Sequence, residues 1–285
     1  MNQASAVRQT PFVRYGGTLD VLRLWLTSPL RLYATRPPQN GLKEFVARSL
    51  LPALLPQSSG GLVASLPGGG RVKIDYSEEI ARLLLLHGSY ETAEIATVSE
   101  LATVGSTAID VGANIGMYTV ALATAVGNGG TVLAFEPVPQ TSQRLRANLA
   151  MNEMTNVSVV DAAAGRSSGI MDIRLANDSA YASLVSVKQG RATGRTLSVR
   201  VVTLDEIWRE RRRPAVSFCK IDVEGAELLV LEGAKEMLAA CGPALLLEAD
   251  EGPQLDALSS WLAAHQYRER QAAGFMPWNH LFVRL

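Results

Sequence analysis

Asp110, Glu136 and Asp222 each stand at the end of an apolar run and just before a turn. Residues 107–116 read T-A-I-D-V-G-A-N-I-G, a β-branched run ending in Asp110 and then a turn built on Gly112, Asn114 and Gly116. Glycines there let the backbone pass close to a ligand with no Cβ in the way. The run 130–135 ends in Glu136, and a carboxylate at a strand tip can accept hydrogen bonds from both hydroxyls of a ribose, each contributing about 1.5–3 kcal/mol. A dinucleotide fingerprint would place a second glycine under a pyrophosphate. Asn114 stands where a glycine is wanted, and Asp110 would repel a pyrophosphate but suits a ligand carrying an amine and a sulfonium. That ligand is S-adenosylmethionine. A turn with no cofactor would leave Asp110 and Glu136 with no reason to end buried strands.

These residues need strand ends to hold them, and the pattern supplies strands alternating with helices. The spacing predicts core strands at 107–110, 130–135, 157–160, 216–221 and 244–247, with a last strand at 281–285. Helices are expected over 78–86, 92–101, 117–126, 140–151, 203–212, 227–238 and 255–265, with Thr203 as an N-cap and Glu206 at the capping-box position. His87-Gly88 reads as the stop of the first of these. Residues 62–66 and 71–75 flank three glycines and read as a β-hairpin. Residues 170–175 and 197–202 read as paired strands, joined by a polar, Ser/Gly-rich loop over 177–195. Strands alternating with helices define an α/β fold with a largely parallel sheet.

The 285 residues suffice for one large α/β domain at 61–285 and an N-terminal helical extension at 1–60. Before position 57 seven basic residues face two acidic ones, interleaved with Trp25 and many leucines and broken by prolines. Such a segment packs on its own domain, lines a homodimer seam, covers a site or makes peripheral membrane contact. Lys and Arg number 27 and so do Asp and Glu, a balance that argues against a general nucleic-acid binder. The first residues lack the apolar core of a signal peptide, so a cytoplasmic location is expected. Cys219 and Cys241, the two cysteines, are expected as buried thiols.

D-V-G-A-N-I-G at 110–116, F-E-P at 135–137, L-R-A-N-L-A-M-N at 145–152, V-T-L-D-E-I at 202–207, K-I-D-V-E-G-A-E at 220–227 and L-L-L-E at 245–248 follow one another as in a known family. Together with N-H-L-F near the tail, they resemble the FkbM-type methyltransferases, over about residues 75–285. The resemblance implies a Rossmann-like, doubly wound, seven-stranded sheet, the class I methyltransferase fold, with its last strand antiparallel. It implies S-adenosylmethionine-dependent O-methylation of a hydroxyl on a small metabolite, sugar or glycan intermediate. Methylation of nitrogen or carbon, or cofactor binding without catalysis, are the alternatives. By the same resemblance Asp110, Gly112 and Gly116, with Asn114 nearby, form the methionine-side turn, Glu136 and Pro137 meet the ribose, and Asp161-Ala162 border the adenine. Asp222 faces the transferring methyl group.

Asp222 and Glu224 lie two residues apart, Lys220 two before Asp222, and Glu248 ends the neighbouring strand. All four are candidates for catalysis, with Asp222 foremost as base. Adjacent strand ends bring Asp222 and Glu248 to one rim, where they share a proton or hold a divalent cation. No metal is favoured, since the sequence shows no clear Asp/Asn cluster or His pair. A plainer reading makes Glu224 the cap of the next helix and Lys220 a salt-bridge partner. Enzymes that methylate exocyclic amines of nucleic acids carry [N/D]-P-P-[Y/F] where this chain has D-V-E-G.

Overall fold

Every side chain of β4 (Thr107–Val111) is buried, as expected for a strand covered on both faces. It pairs in parallel with β5 (Thr131–Phe135) on one side and β11 (Val216–Ile221) on the other. β6 (Val157–Val160) extends the sheet beyond β5. Beyond β11 come β12 (Ala244–Glu248), β14 (Asn279–Arg284) and β13 (Tyr267–Glu269), closing a seven-stranded sheet in which β14 runs antiparallel to both neighbours. The chain winds outward from β4 to β6, then restarts at β11 and winds the other way. The reversal between β4 and β11 is a topological switch point, and ligands of open α/β sheets bind there, at the carboxyl ends of the strands. This is the Rossmann-like, doubly wound architecture expected from the sequence.

The computed structural model describes residues 14–15, 61–75, 78, 80–81, 83–84, 90–176, 182–183 and 192–285. They fall into two compact units, Met1–Ser65 with Arg71–Tyr90, and Leu66–Gly70 with Glu91–Leu285. In the first, β1 (Arg14–Tyr15), β2 (Gly61–Ser65) and β3 (Arg71–Asp75) form an antiparallel three-stranded sheet. The hairpin is the expected one. Arg14–Tyr15 is the one described piece of the N-terminal segment and is a strand where short helices were expected. The lid, dimer and membrane expectations for that segment, and the helix stop at His87-Gly88, lie outside the described residues. Of the helix expected over 78–86, Ile80, Ala81, Leu83 and Leu84 are described and helical.

In the second unit α1 (Thr92–Leu101), α2 (Met117–Val126) and α3 (Pro139–Met151) fall where periodicity placed them. α2 is apolar on every side because nearly all of it is buried. β7 (Ala163–Ala164), β8 (Gly169–Ala176), β9 (Ala182–Ser183) and β10 (Ala192–Val202) make a separate four-stranded sheet over Val138, Ile173, Val199 and Val201. The loop expected over 177–195 is therefore corrected at two places: β9 pairs with Arg174 and Leu175, and β10 begins at Ala192. α4 (Leu204–Glu210) starts as expected, with Thr203 Oγ1 accepting from the Glu206 amide at 3.0 Å. The Glu206 carboxylate turns outward and accepts from Ser168. Cys219 is buried, whereas Cys241 is only half-buried.

A second correction concerns the helix expected over 227–238, which is two helices, α5 (Glu227–Glu232) and α6 (Lys235–Cys241). A Cβ at Gly233 would sit 2.0 Å from the Gly165 carbonyl oxygen, so the backbone itself packs there. The Gly233 carbonyl leaves the helical ladder to accept from the Asp205 amide at 2.9 Å. Asp205 then caps α6, its carboxylate accepting from the Glu236 and Met237 amides at 3.0 and 2.9 Å. α7 (Pro253–Ala264) leads into β13, the three-residue strand missing from the sequence expectation. Among the described residues no helix is long and apolar enough to cross a membrane.

Candidate active site

Strand register decides which side chains meet. Lys220 lies beside Asp110 on one side and Leu246 on the other, and side chains alternate along a strand. Asp110 and Lys220 therefore share one face, and one step further along the same face come Gly112, Asp222 and Glu248. The β4 turn is held down by the Gly112 and Ala113 amides donating to the Phe135 carbonyl at 3.1 and 2.9 Å. Gly112 has φ +80°, and a Cβ there would lie 1.8 Å from the Asp222 carbonyl oxygen, so this position is closed to any other residue. Gly116, at φ +97°, leads into α2. Asn148 Nδ2 braces the turn by donating to the Ile115 carbonyl at 2.8 Å.

Glu136 spans the turn. One carboxylate oxygen accepts from the Asn114 amide at 3.0 Å and the other from the Val138 amide at 2.9 Å, reaching past half-buried Pro137, which has no N–H to offer. Burial raises its pKa to about 7 against the pull of those two amides. Each oxygen keeps a second lone pair for a ribose hydroxyl. Asp110 is fully buried. One of its oxygens accepts from Thr119 Oγ1 at 2.6 Å, and the other has no protein partner. Burial raises its pKa too, partly offset by the Lys220 charge. Asn114 Oδ1 is a second buried acceptor without a partner at the same turn. Two orphan acceptors at one turn are the complement of an ammonium group. The residues present thus fit S-adenosylmethionine.

At the rim Lys220 Nζ donates to Asp222 Oδ2 at 2.8 Å and lies 4.5 Å from the centre of the Tyr118 ring. The charges of Asp222, Asp110 and Glu91 hold the ammonium well above the usual lysine range despite burial. Carboxylate oxygens of Asp222, Glu224 and Glu248 all lie within 4.8 Å of one another. Burial first, then Asp222, raise the Glu248 pKa to about 9. The plainer reading of Lys220 as a salt-bridge partner is thus observed, and Glu227, the first residue of α5, ties down the turn that precedes it. Glu227 accepts from the Val223 and Gly225 amides at 3.1 and 3.0 Å and from Gln254 at 2.8 Å. The three carboxylates also form the acidic group that a divalent cation would require.

Asp161 stands apart from this group. Its exposed carboxylate takes Arg146 in a bidentate pair at 2.9 and 2.8 Å and Ser142 Oγ at 2.5 Å, beside fully buried Ala162. Three residues that sequence reasoning passed over join the rim. Glu91, in a left-handed conformation before α1, accepts from Tyr118 Oη at 2.9 Å and from Asn279 Nδ2 at 3.1 Å. Burial raises the Glu91 pKa. The N-H-L-F motif pointed to Asn279, but nothing local in the sequence marks Glu91 or Tyr118.

Four acidic side chains, Glu91, Asp110, Asp222 and Glu248, thus gather around one lysine at the carboxyl ends of the strands, with Glu224 beside Asp222 and Glu248 and with Glu136 feeling the charges of Asp110 and Asp222. That fold with that acidic rim defines a class I methyltransferase. A family model described as "Methyltransferase FkbM domain" matches residues 110–269. A "Hexuronic acid methyltransferase AglP" from Haloferax volcanii is 30% identical over 178 residues, which are 62% of this chain and 70% of that protein. "Methyltransferase 1" from Beauveria bassiana is 28% identical over 142 residues, 44% of this chain and 57% of that one. A crystal structure of Methyltransferase FkbM from Methylobacillus flagellatus is 17% identical and covers 92% of this chain and 60% of its own, with a TM-score of 0.45. The chain belongs to the FkbM methyltransferase family, and S-adenosylmethionine is its methyl donor.

Proposed function

We propose that this protein is an O-methyltransferase acting on a hydroxyl of a sugar or other small polar metabolite. The observation that carries the reading is the Asp222–Lys220 pair beside Glu248 at the rim. A hydroxyl acceptor must lose a proton as its oxygen is methylated, and the rim is built to take one. Glu248, with its pKa near 9, keeps its own proton at neutral pH and serves as a hydrogen-bond donor. Asp222 is left to accept the acceptor's proton, and Lys220 fixes where that carboxylate points. S-adenosylmethionine supplies, when bound, a methyl group already activated on a sulfonium. Glu136 holds its ribose, and Asp110 with Asn114 hold its amine. Alignment contributes up to ~7–11 kcal/mol in such a transfer, and a base adds about 10²–10⁴-fold.

The name of the Haloferax relative, a hexuronic acid methyltransferase, supports a sugar acceptor. D-V-E-G in place of a Pro-Pro amine-binding element supports oxygen over nitrogen. Incubating the protein with methyl-labelled cofactor and cell extract, then locating the label by mass spectrometry, tests the reading. Label on a hydroxyl oxygen of a small polar compound is expected. Label on nitrogen, carbon or nucleic acid would overturn it.

A further inference from the structure

We propose that a cavity at the start of β14 is the acceptor subsite, where His280 and Arg270 hydrogen-bond a hydroxylated ring of monosaccharide size. The inference rests on the methyl-transfer reading above and gives that acceptor a place. The cavity has a volume of about 350 Å³ and is lined by Glu251, Glu269, Arg270, Phe275, Asn279 and His280, among others. Small-molecule sites typically fall in the ~300–1,000 Å³ range.

His280 is the telling residue. It is 8% exposed, its Nδ1 lies 2.9 Å from a Glu269 carboxylate oxygen, and its Nε2 is buried with no partner. A buried polar atom left unpaired is destabilising, and a hydroxyl group seated in the cavity would relieve that. With Nδ1 engaged by Glu269, Nε2 is the ring nitrogen left to pair with a hydroxyl. Arg270 reaches the same cavity, is exposed and has no ion pair among the described residues, so its donors are available. Its backbone is anchored, the amide donating to the Leu281 carbonyl at 2.7 Å. Half-buried Phe275 offers an apolar face to the C–H face of a ring. Glu251 and Glu269 add acceptors and repel phosphate. Donors, acceptors and one aromatic face together describe a sugar ring better than an apolar or polyphosphate ligand.

One wall of the cavity adjoins the rim. Asn279, which also lines the cavity, is paired across the strands with Glu248, and Glu248 is one strand from Asp222. Asn279 Nδ2 is itself held by Glu91 at 3.1 Å and Glu94 at 3.3 Å, so the cavity wall belongs to the same network as the rim.

The test uses the full chain with S-adenosylhomocysteine bound and glucose, glucuronate and myo-inositol as separate probes, read by saturation-transfer NMR. Transfer to ring protons of at least one probe is expected. His280→Phe, which fills the cavity, should weaken that binding about tenfold or more, and Arg270→Ala should weaken it as well. Arg270 is exposed, so its variant folds even if His280→Phe does not. Affinity for S-adenosylhomocysteine should be unchanged in both. No transfer from any probe to the wild-type chain, or equal transfer in both variants, would overturn the subsite. Failure of the wild type to bind S-adenosylhomocysteine would sink the methyl-transfer reading instead, and the probes tested without it would still decide the cavity.

Discussion

Two side chains at the strand tips make separable predictions. Glu136→Gln removes the charge behind the ribose hydrogen bonds, each of which contributes about 1.5–3 kcal/mol. Titration calorimetry should show the affinity for S-adenosylhomocysteine falling by roughly ten- to a hundredfold; an unchanged affinity would remove Glu136 from the cofactor site. Asp222→Asn keeps the shape and loses the basicity. It should lower kcat by about 10²–10⁴-fold and leave cofactor affinity nearly intact, whereas equal losses in both would mean a structural role. These positions were legible in the sequence because each ends a short, continuous apolar run of the kind that forms a strand buried on both faces. Glu91 and Tyr118 were not, and the motif that marks Asn279 did not say what it meets. Glu91 and Asn279 are 188 residues apart and meet only because β14 inserts between β12 and β13, an order that no local pattern carries.

The same contrast holds for elements. Strands β4, β5, β11 and β12 were readable as short apolar runs bounded by turns, since both of their faces are buried. β13 has three residues and shows too little alternation to register. The break between α5 and α6 was invisible, because one glycine inside a helical pattern costs only ~1 kcal/mol relative to alanine and so reads as tolerated. What ends the helix is the Gly165 backbone 2.0 Å from where a Cβ would be. Gly233→Ala should therefore destabilise the fold by about 1–3 kcal/mol through overpacking, measured by urea denaturation. A neutral result would show that Gly165 yields easily. Asp205→Ala strips both amides from its cap on α6 and should cost a further ~0.5–2 kcal/mol.

At the scale of the whole molecule the acidic rim makes stability depend on pH. A carboxyl group whose pKa is raised on folding holds its proton more tightly in the folded state than in the unfolded chain. Stability is then lost as pH rises above the unfolded value. For Glu248 the window runs from 4.5 to about 9, and for Glu136 from 4.5 to about 7. Glu248→Gln cannot ionise in either state, so it should raise the melting temperature of the cofactor-free protein at pH 8 and hardly change it at pH 4.5. A melting temperature lowered equally at both would contradict the assignment. Exhaustive chelation should leave methyl transfer intact, and activity restored only by a divalent cation would make Asp222, Glu224 and Glu248 its ligands. Gly112 and the Asp222 carbonyl touch so closely that neither strand end can shift without the other. Over evolutionary descent that contact limits where novelty can arise. Relatives that switch acceptors should keep this pair unchanged and diverge between Glu248 and Asn279, where an insertion leaves the interlock undisturbed.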